Sequence, residues 1–312
     1  MKGIEISKKY FYEFGLPVLE KDFPDLVPRL SAGLAGEGSE CMGYDDEISR
    51  DHDFEPGFCI WLSDDDYDEY GFRLSRAYTK LPSEFEGLKR QSLNPAGGAR
   101  HGVFKTSEFF EKYLGSPSGP KTYEEWLAIP PQYLKTAVSG EIFVNNEKNF
   151  FEVRKNLANG YPEDVRLKKI AANSAVAGQA GQYNYPRLIS RGETGGAQLA
   201  VYEFVRHVIS AAYLVNNEYE PFYKWAYRGM RDLKTLSDLE TPLSFLTETG
   251  NGKEEAALKC EIIEDVASRL IAEYKKQNIS DATCNNLDTH ALSVQEHVKD
   301  ASLRNSNVFS GI

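Results

Sequence analysis

The sequence predicts an α+β fold in which a half that mixes short strands with helices is followed by a half that is helical throughout. Three observations carry this. Strand-like apolar runs fall at residues 29–35, 53–62, 101–105 and 141–144, and none is convincing beyond them. After residue 150 apolar residues recur instead at three- and four-residue spacing, as in Val201, Phe204, Val205, Val208, Ala212 and Val215, and again in Leu258, Ile262, Val266, Leu270 and Tyr274. At 312 residues the chain is long enough for two domains, and the change of pattern puts the first over 1–150 and a helical bundle over 151–312.

The elements follow in order. Residues 4–21 read as a helix that Pro24 discourages from continuing, with Tyr10, Phe11, Phe14 and Leu19 expected on the sheet edge. Residues 29–35 form a first strand feeding a glycine turn, and residues 53–62 a second. Ser63 is a good N-cap for the next helix, which runs to about Lys80, and Asp64, Asp65 and Asp66 in its first turn complement the helix dipole. Residues 87–102 read as a loop, locally basic through Lys89, Arg90 and Arg100. A strand at 101–105, a helix at 107–114, short helices at 123–127 and 132–138 and a last strand at 141–144 complete the first half. In the second half Pro162, Glu163 and Asp164 mark a helix start, and residues 197–215 form a long helix. From Asn278 the chain is polar, with one helix near 292–298 and a tail expected to be loose.

A net charge of -11 and a pI near 5.1 argue against broad electrostatic binding to nucleic acid or an anionic membrane. Cys41, Cys59, Cys260 and Cys284 are scattered, with no Cys-x-x-Cys pair and no histidines at zinc spacing, as expected of reduced thiols. The N-terminus has no apolar signal core, and no uncharged apolar run is long enough to span a bilayer. A soluble cytoplasmic protein is the expectation.

The chemistry concentrates at residues 33–62. In an extended strand Asp51 and Asp53 project to one side, and two adjacent carboxylates are costly unless a cation lies between them. A hard divalent ion, Mg2+ or Mn2+, prefers oxygen ligands and is often held by one or two carboxylates with phosphate oxygens. Upstream, Gly36, Gly38 and Gly43 let the backbone turn sharply, and Ser39 opens a helix whose free N–H groups favour an anion. Cation site beside anion site suits a nucleoside triphosphate with its metal. The third strand offers Phe104 and Lys105 where a further carboxylate would serve, which leaves Glu108 as the nearest candidate. Two stretches of the second half are too polar for plain bundle surface. One holds Gln182, Asn184, Arg187 and Arg191, and the other holds Tyr219 and Lys224. Their cations would hold phosphates and their tyrosines stack on a base, or else they make interhelix ion pairs and a turn around Pro221.

Gly38-Ser39, the small residue Cys41, Gly43, and then Ser49, Asp51 and Asp53 resemble the signature of the polymerase-beta-like nucleotidyltransferase superfamily, with Arg50 as an extra residue between the serine and the first aspartate. Together with Gln182-Tyr-Asn184, Arg187, Arg191 and the run from Asn216 through Tyr219 and Pro221 to Trp225, the chain resembles the bacterial domain of unknown function 4037 family within it. Kanamycin-type aminoglycoside nucleotidyltransferases look like more distant relatives. The resemblance implies a small mixed nucleotidyltransferase sheet with flanking helices, followed by an all-α bundle. It also implies magnesium-dependent transfer of a nucleoside monophosphate from a triphosphate, ATP in the first instance, with pyrophosphate release. On that reading Asp51 and Asp53 hold the metal, Gly38 and Ser39 the phosphates, and Glu108 serves as base, while the acceptor, a small molecule or a protein, is not supplied. The alternative is a nucleotide-binding sensor or interaction protein that keeps the fold without the chemistry.

Overall fold

Four short strands form a mixed sheet: β1 (Ser31–Leu34), β2 (Cys59–Leu62), β3 (Gly102–Lys105) and β4 (Glu141–Asn145), in the order β3-β2-β1-β4. β1 is antiparallel to both neighbours, with Gly33 opposite Cys59 and Leu34 opposite Glu141. β2 and β3 run parallel, Cys59 beside Gly102 and Leu62 beside Lys105. Both central strands are buried along their whole length, which accounts for Ser-Ala-Gly-Leu and Cys-Ile-Trp-Leu with no alternation of polarity. The computed structural model describes residues 1–50, 55–90 and 100–312. Their contacts fall into two units, Met1–Lys121 with Ile129–Asn159, and Thr122–Ala128 with Gly160–Ile312. The architecture is α+β, and no helix among the described residues is long and apolar enough to cross a membrane.

One face of the sheet is covered by the N-terminal helical run, Gly3–Tyr10 and Leu16–Asp22 joined through a π-helical turn at Phe11–Gly15. Phe11 meets Phe58 edge-on at 5.1 Å, and a Cβ on Gly15 would stand 2.5 Å from the Phe58 ring, so the close approach of this turn needs glycine. On the other face Trp61 stacks on Phe150 at 4.3 Å, with Phe109 and Phe110 beside them. Each such buried ring stabilises the unit by roughly 1.5–3 kcal/mol.

Two expectations for this unit are corrected. The second strand begins at Cys59, not at residue 53, because Pro56 offers no N–H to a ladder and the Gly57 carbonyl is taken by the Ser7 hydroxyl at 2.6 Å. Asp51 and Asp53 themselves lie outside the described residues. The stretch read as a loop from residue 87 opens instead with a hairpin, Glu84–Phe85 against Leu88–Lys89, which turns on Glu86 and Gly87 at φ of 50° and 78°.

In the second unit the Glu163–Ala177 helix is buried on nearly every side and packs against Thr194–Val215 and Leu287–Glu296. The apolar positions Val201 to Val215 are buried as their spacing implies. In Lys253–Lys276 Val266, Leu270 and Tyr274 are buried as their spacing implies, but in the helix's first half Lys259 and Ile263 face inward, whereas Leu258 is 43 % exposed. The Lys259 ammonium makes this possible by donating to Thr249 O at 2.8 Å, Gln198 Oε1 at 3.1 Å and Asn251 Oδ1 at 3.3 Å. The tail is not loose. Asp164 accepts the Lys299 and Asp300 amides at 3.0 and 2.9 Å, the buried Lys168 ammonium donates to Ser306 O at 3.2 Å, and Gly311 packs on Lys168 O. Polar composition suggested freedom, but buried polar groups of one helix supply the tail with partners.

Candidate functional site

β1 ends in a turn whose shape depends on glycine. Gly36, Gly38 and Gly43 have φ of 113°, 120° and 73°, all in the region that side chains avoid. Gly36 lies against the Thr106–Leu114 helix, near Tyr113 Oη and the Phe109 ring. At Gly38 a Cβ would collide with the Arg100 guanidinium and the Glu40 carboxylate. Ser39 opens the helix, as expected, with Gly38 as its N-cap, but that helix, Ser39–Met42, is a single turn. So short an element supplies little helix dipole for an anion.

Side chains take the dipole's place. Arg100 donates to Glu37 O at 2.9 Å and pairs with the buried Glu40 carboxylate. Lys112 Nζ donates to Glu37 Oε1 at 2.9 Å, and the Tyr113 hydroxyl donates to the same oxygen at 3.2 Å. Burial works to raise the Glu37 pKa, but the Lys112 bond and charge, the Tyr113 bond and the Arg100 charge outweigh it and hold the carboxyl below its usual range. The Tyr113 phenol is pushed up to about 12, chiefly by burial. A small cavity beside the turn is lined by Leu34, Glu40, Glu55 and His101, and Glu55 Oε1 lies 3.1 Å from His101 Nδ1.

The turn is buttressed from below. The Gly140 N–H donates to Cys41 O at 2.7 Å, and a Cβ on Gly140, at φ 87°, would collide with Leu34 O. Gly140 follows the Pro131–Val138 helix, at whose C-terminal end the half-buried Arg154 guanidinium donates to Ala137 O at 2.7 Å, Val138 O at 2.8 Å and Ser139 O at 3.3 Å. Burial lowers the Arg154 pKa to about 10.

The remaining candidates are dispersed. Glu108 is exposed in the first turn of Thr106–Leu114, just beyond the last residue of β3, Lys105. In the second unit Gln182 is a brace: its amide donates to Glu264 Oε2 and Asn285 O at 2.8 and 2.9 Å and accepts the Leu287 amide at 2.9 Å. Asn184 ends the π-helical turn Gly178–Asn184, and Arg187 and Arg191 are exposed, the former over the Tyr183 ring at 4.6 Å. Tyr219 is buried edge-on to Tyr161 at 4.8 Å, and Lys224 is exposed near the Trp225 ring. Arg191 precedes the 22-residue helix Thr194–Val215 and Tyr219 follows it. At 1.5 Å per residue that helix is roughly 33 Å long, so its two ends do not share one triphosphate.

Glu37, Glu40, Lys112 and Arg154 were not singled out from the sequence. Arg100 was noticed only as part of a basic stretch, and no spacing rule links it to Glu40 sixty residues earlier. Among the described residues no group of three or more His, Cys, Asp and Glu is placed to hold a metal ion.

Comparison with curated proteins and with solved structures gives no match. A family model does match residues 126–226, a stretch that holds the second unit's polar candidates Gln182, Asn184, Arg187, Arg191, Tyr219 and Lys224. Over that stretch the chain is similar to the family described as Domain of unknown function (DUF4037).

Proposed function

We propose that the first unit binds a nucleoside triphosphate at the Gly36–Gly38 turn and transfers its nucleoside monophosphate to an acceptor hydroxyl, with pyrophosphate leaving. The observation that carries this reading is the pair of cations closed over the turn. Arg100 and Lys112 are each held by a carboxylate of the turn itself, Glu40 and Glu37, and phosphate oxygens would replace those carboxylates. A guanidinium matches two phosphate oxygens at once, whereas the ammonium acts as a point charge. Glycine at 36 and 38 leaves the backbone open to close approach.

Magnesium is assigned to Asp51 and Asp53, where it would neutralise charge on the triphosphate. Both lie outside the described residues. The described carboxylates lining the cavity beside the turn are two, Glu40 and Glu55, so no catalytic step is routed through the metal here. The base is assigned to Glu108, exposed in the first turn of the helix that packs on Gly36.

One observation favours a second reading, a nucleotide sensor without catalysis: β3 reads Gly-Val-Phe-Lys and carries no carboxylate beside β2. The two separate in one experiment. The protein is incubated with each α-labelled triphosphate and magnesium or manganese, and pyrophosphate release and labelled products are followed. Transfer abolished by Asp51→Asn with Asp53→Asn supports the enzyme. Saturable triphosphate binding without pyrophosphate supports the sensor. Transfer that survives the double substitution overturns the assignment, and neither binding nor transfer sinks both readings.

A further inference from the structure

In the second unit two neighbouring buried donors, Lys169 and Tyr161, are short of acceptors among the described residues. Lys169, on the Glu163–Ala177 helix, is 7 % exposed and has no carboxylate partner among the described residues. Its ammonium makes one hydrogen bond, to Leu127 O at 3.3 Å, where three are within its capacity. The Tyr161 ring lies 5.9 Å from that ammonium. Tyr161 is itself 5 % exposed, and its hydroxyl is buried without a hydrogen-bond partner. Trp126 and Tyr219 pack against the same ring, with centroids at 6.0 and 4.8 Å.

A buried ammonium without a counter-ion and a buried hydroxyl without an acceptor both oppose folding. Their fault is of one kind: donors are present and acceptors are missing. The missing complement is therefore rich in lone pairs and negatively charged. All four side chains fall within residues 126–226, the stretch that matches the family. The neighbouring carboxyl does not fill the gap, since Glu220 is engaged by the Ser210 hydroxyl at 2.5 Å.

From this geometry we infer that Lys169 and Tyr161 form a binding site for a compact oxyanion, a phosphate or carboxylate group, with Lys169 as its counter-ion and the Tyr161 hydroxyl as a second donor. Trp126 and Tyr219 pack on the Tyr161 ring, and the burial of both donors strengthens both contacts. The inference stands on the second unit alone and does not depend on nucleotidyl transfer.

Titration calorimetry on the full chain with inorganic phosphate and with acetate, at constant ionic strength set by chloride, tests it. Saturable binding of either anion is expected; phosphate alone identifies a phosphate site, and acetate as well identifies a general carboxylate and phosphate site. Lys169→Met should weaken binding at least about tenfold and Tyr161→Phe several-fold, in line with the loss of a charged and a neutral hydrogen bond. Lys169→Arg, which keeps the charge, should retain more affinity than Lys169→Met, and circular dichroism establishes that each variant is folded. No saturable binding overturns the inference, as does wild-type affinity in both Lys169→Met and Tyr161→Phe. Binding lost in Lys112→Met but kept in Lys169→Met also overturns it, because it places the anion at the glycine turn.

Discussion

Lys112 Nζ and Glu37 Oε1 stand 2.9 Å apart, which ties the glycine turn to the Thr106–Leu114 helix. Because the Glu37 carboxyl is held below its ordinary pKa, the stability it contributes is present above the unfolded value of about 4.5 and is lost as pH falls through the folded one. Both side chains are more than half exposed, so the pair is worth at most about 1 kcal/mol. Glu37→Gln should leave the urea midpoint nearly unchanged at pH 7 and flatten its decline below pH 4.5. An undiminished acid decline in the variant would show that the pair contributes nothing.

Gly140→Ala should be far more damaging. The substitution puts a side chain at a positive φ and against Leu34 O, so relief requires moving β1 or the Pro131–Val138 helix. A loss of about 2–4 kcal/mol is expected in urea unfolding. Gly43→Ala is the control, since nothing lies within 4 Å of its Cβ position and only the backbone strain remains.

Glu220 sets a pH dependence of opposite sign. Burial raises its pKa to about 7, against smaller contributions from the Ser210 bond and the Arg206 charge. The unfolded chain releases this proton near pH 4.5 and the folded one near 7, so stability falls as pH rises between those values and levels off above. The drop is on the order of 3 kcal/mol. Thermal midpoints from pH 5 to 8 should fall in the wild type and lose this component in Glu220→Gln.

Asp164→Ala removes the acceptor of two backbone amides, those of Lys299 and Asp300. The expected cost is about 1–3 kcal/mol. Hydrogen exchange should rise in residues 299–312 before it rises elsewhere. Equal protection in variant and wild type would mean that the tail is held by other contacts.

The sheet was largely legible in the sequence because its strands are apolar runs bounded by turn residues, and β1, β3 and β4 fall where those runs do. The start of β2 was not, since Phe54 to Phe58 looks apolar while Pro56 cannot join a ladder. Lysine stems pack as hydrocarbons, so the period that pointed to Leu258 missed Lys259 one position along. Periodicity marks a helix but is silent about which ends meet, and Arg191 and Tyr219 were therefore read together although the Thr194–Val215 helix holds them apart. The ion pairs at the turn join Glu37 to Lys112 and Glu40 to Arg100, separations over which no local pattern operates.

The second unit is discontinuous: Thr122–Ala128 belongs to it, although the chain belongs to the first unit both before and after. No single cut therefore yields two intact halves. A fragment starting at Gly160 would forfeit Trp126 and expose the Tyr161 ring it covers, while one ending at Asn159 would carry seven residues stripped of their partners. Dissecting this protein calls for circular permutation or grafting of that segment, not for simple truncation.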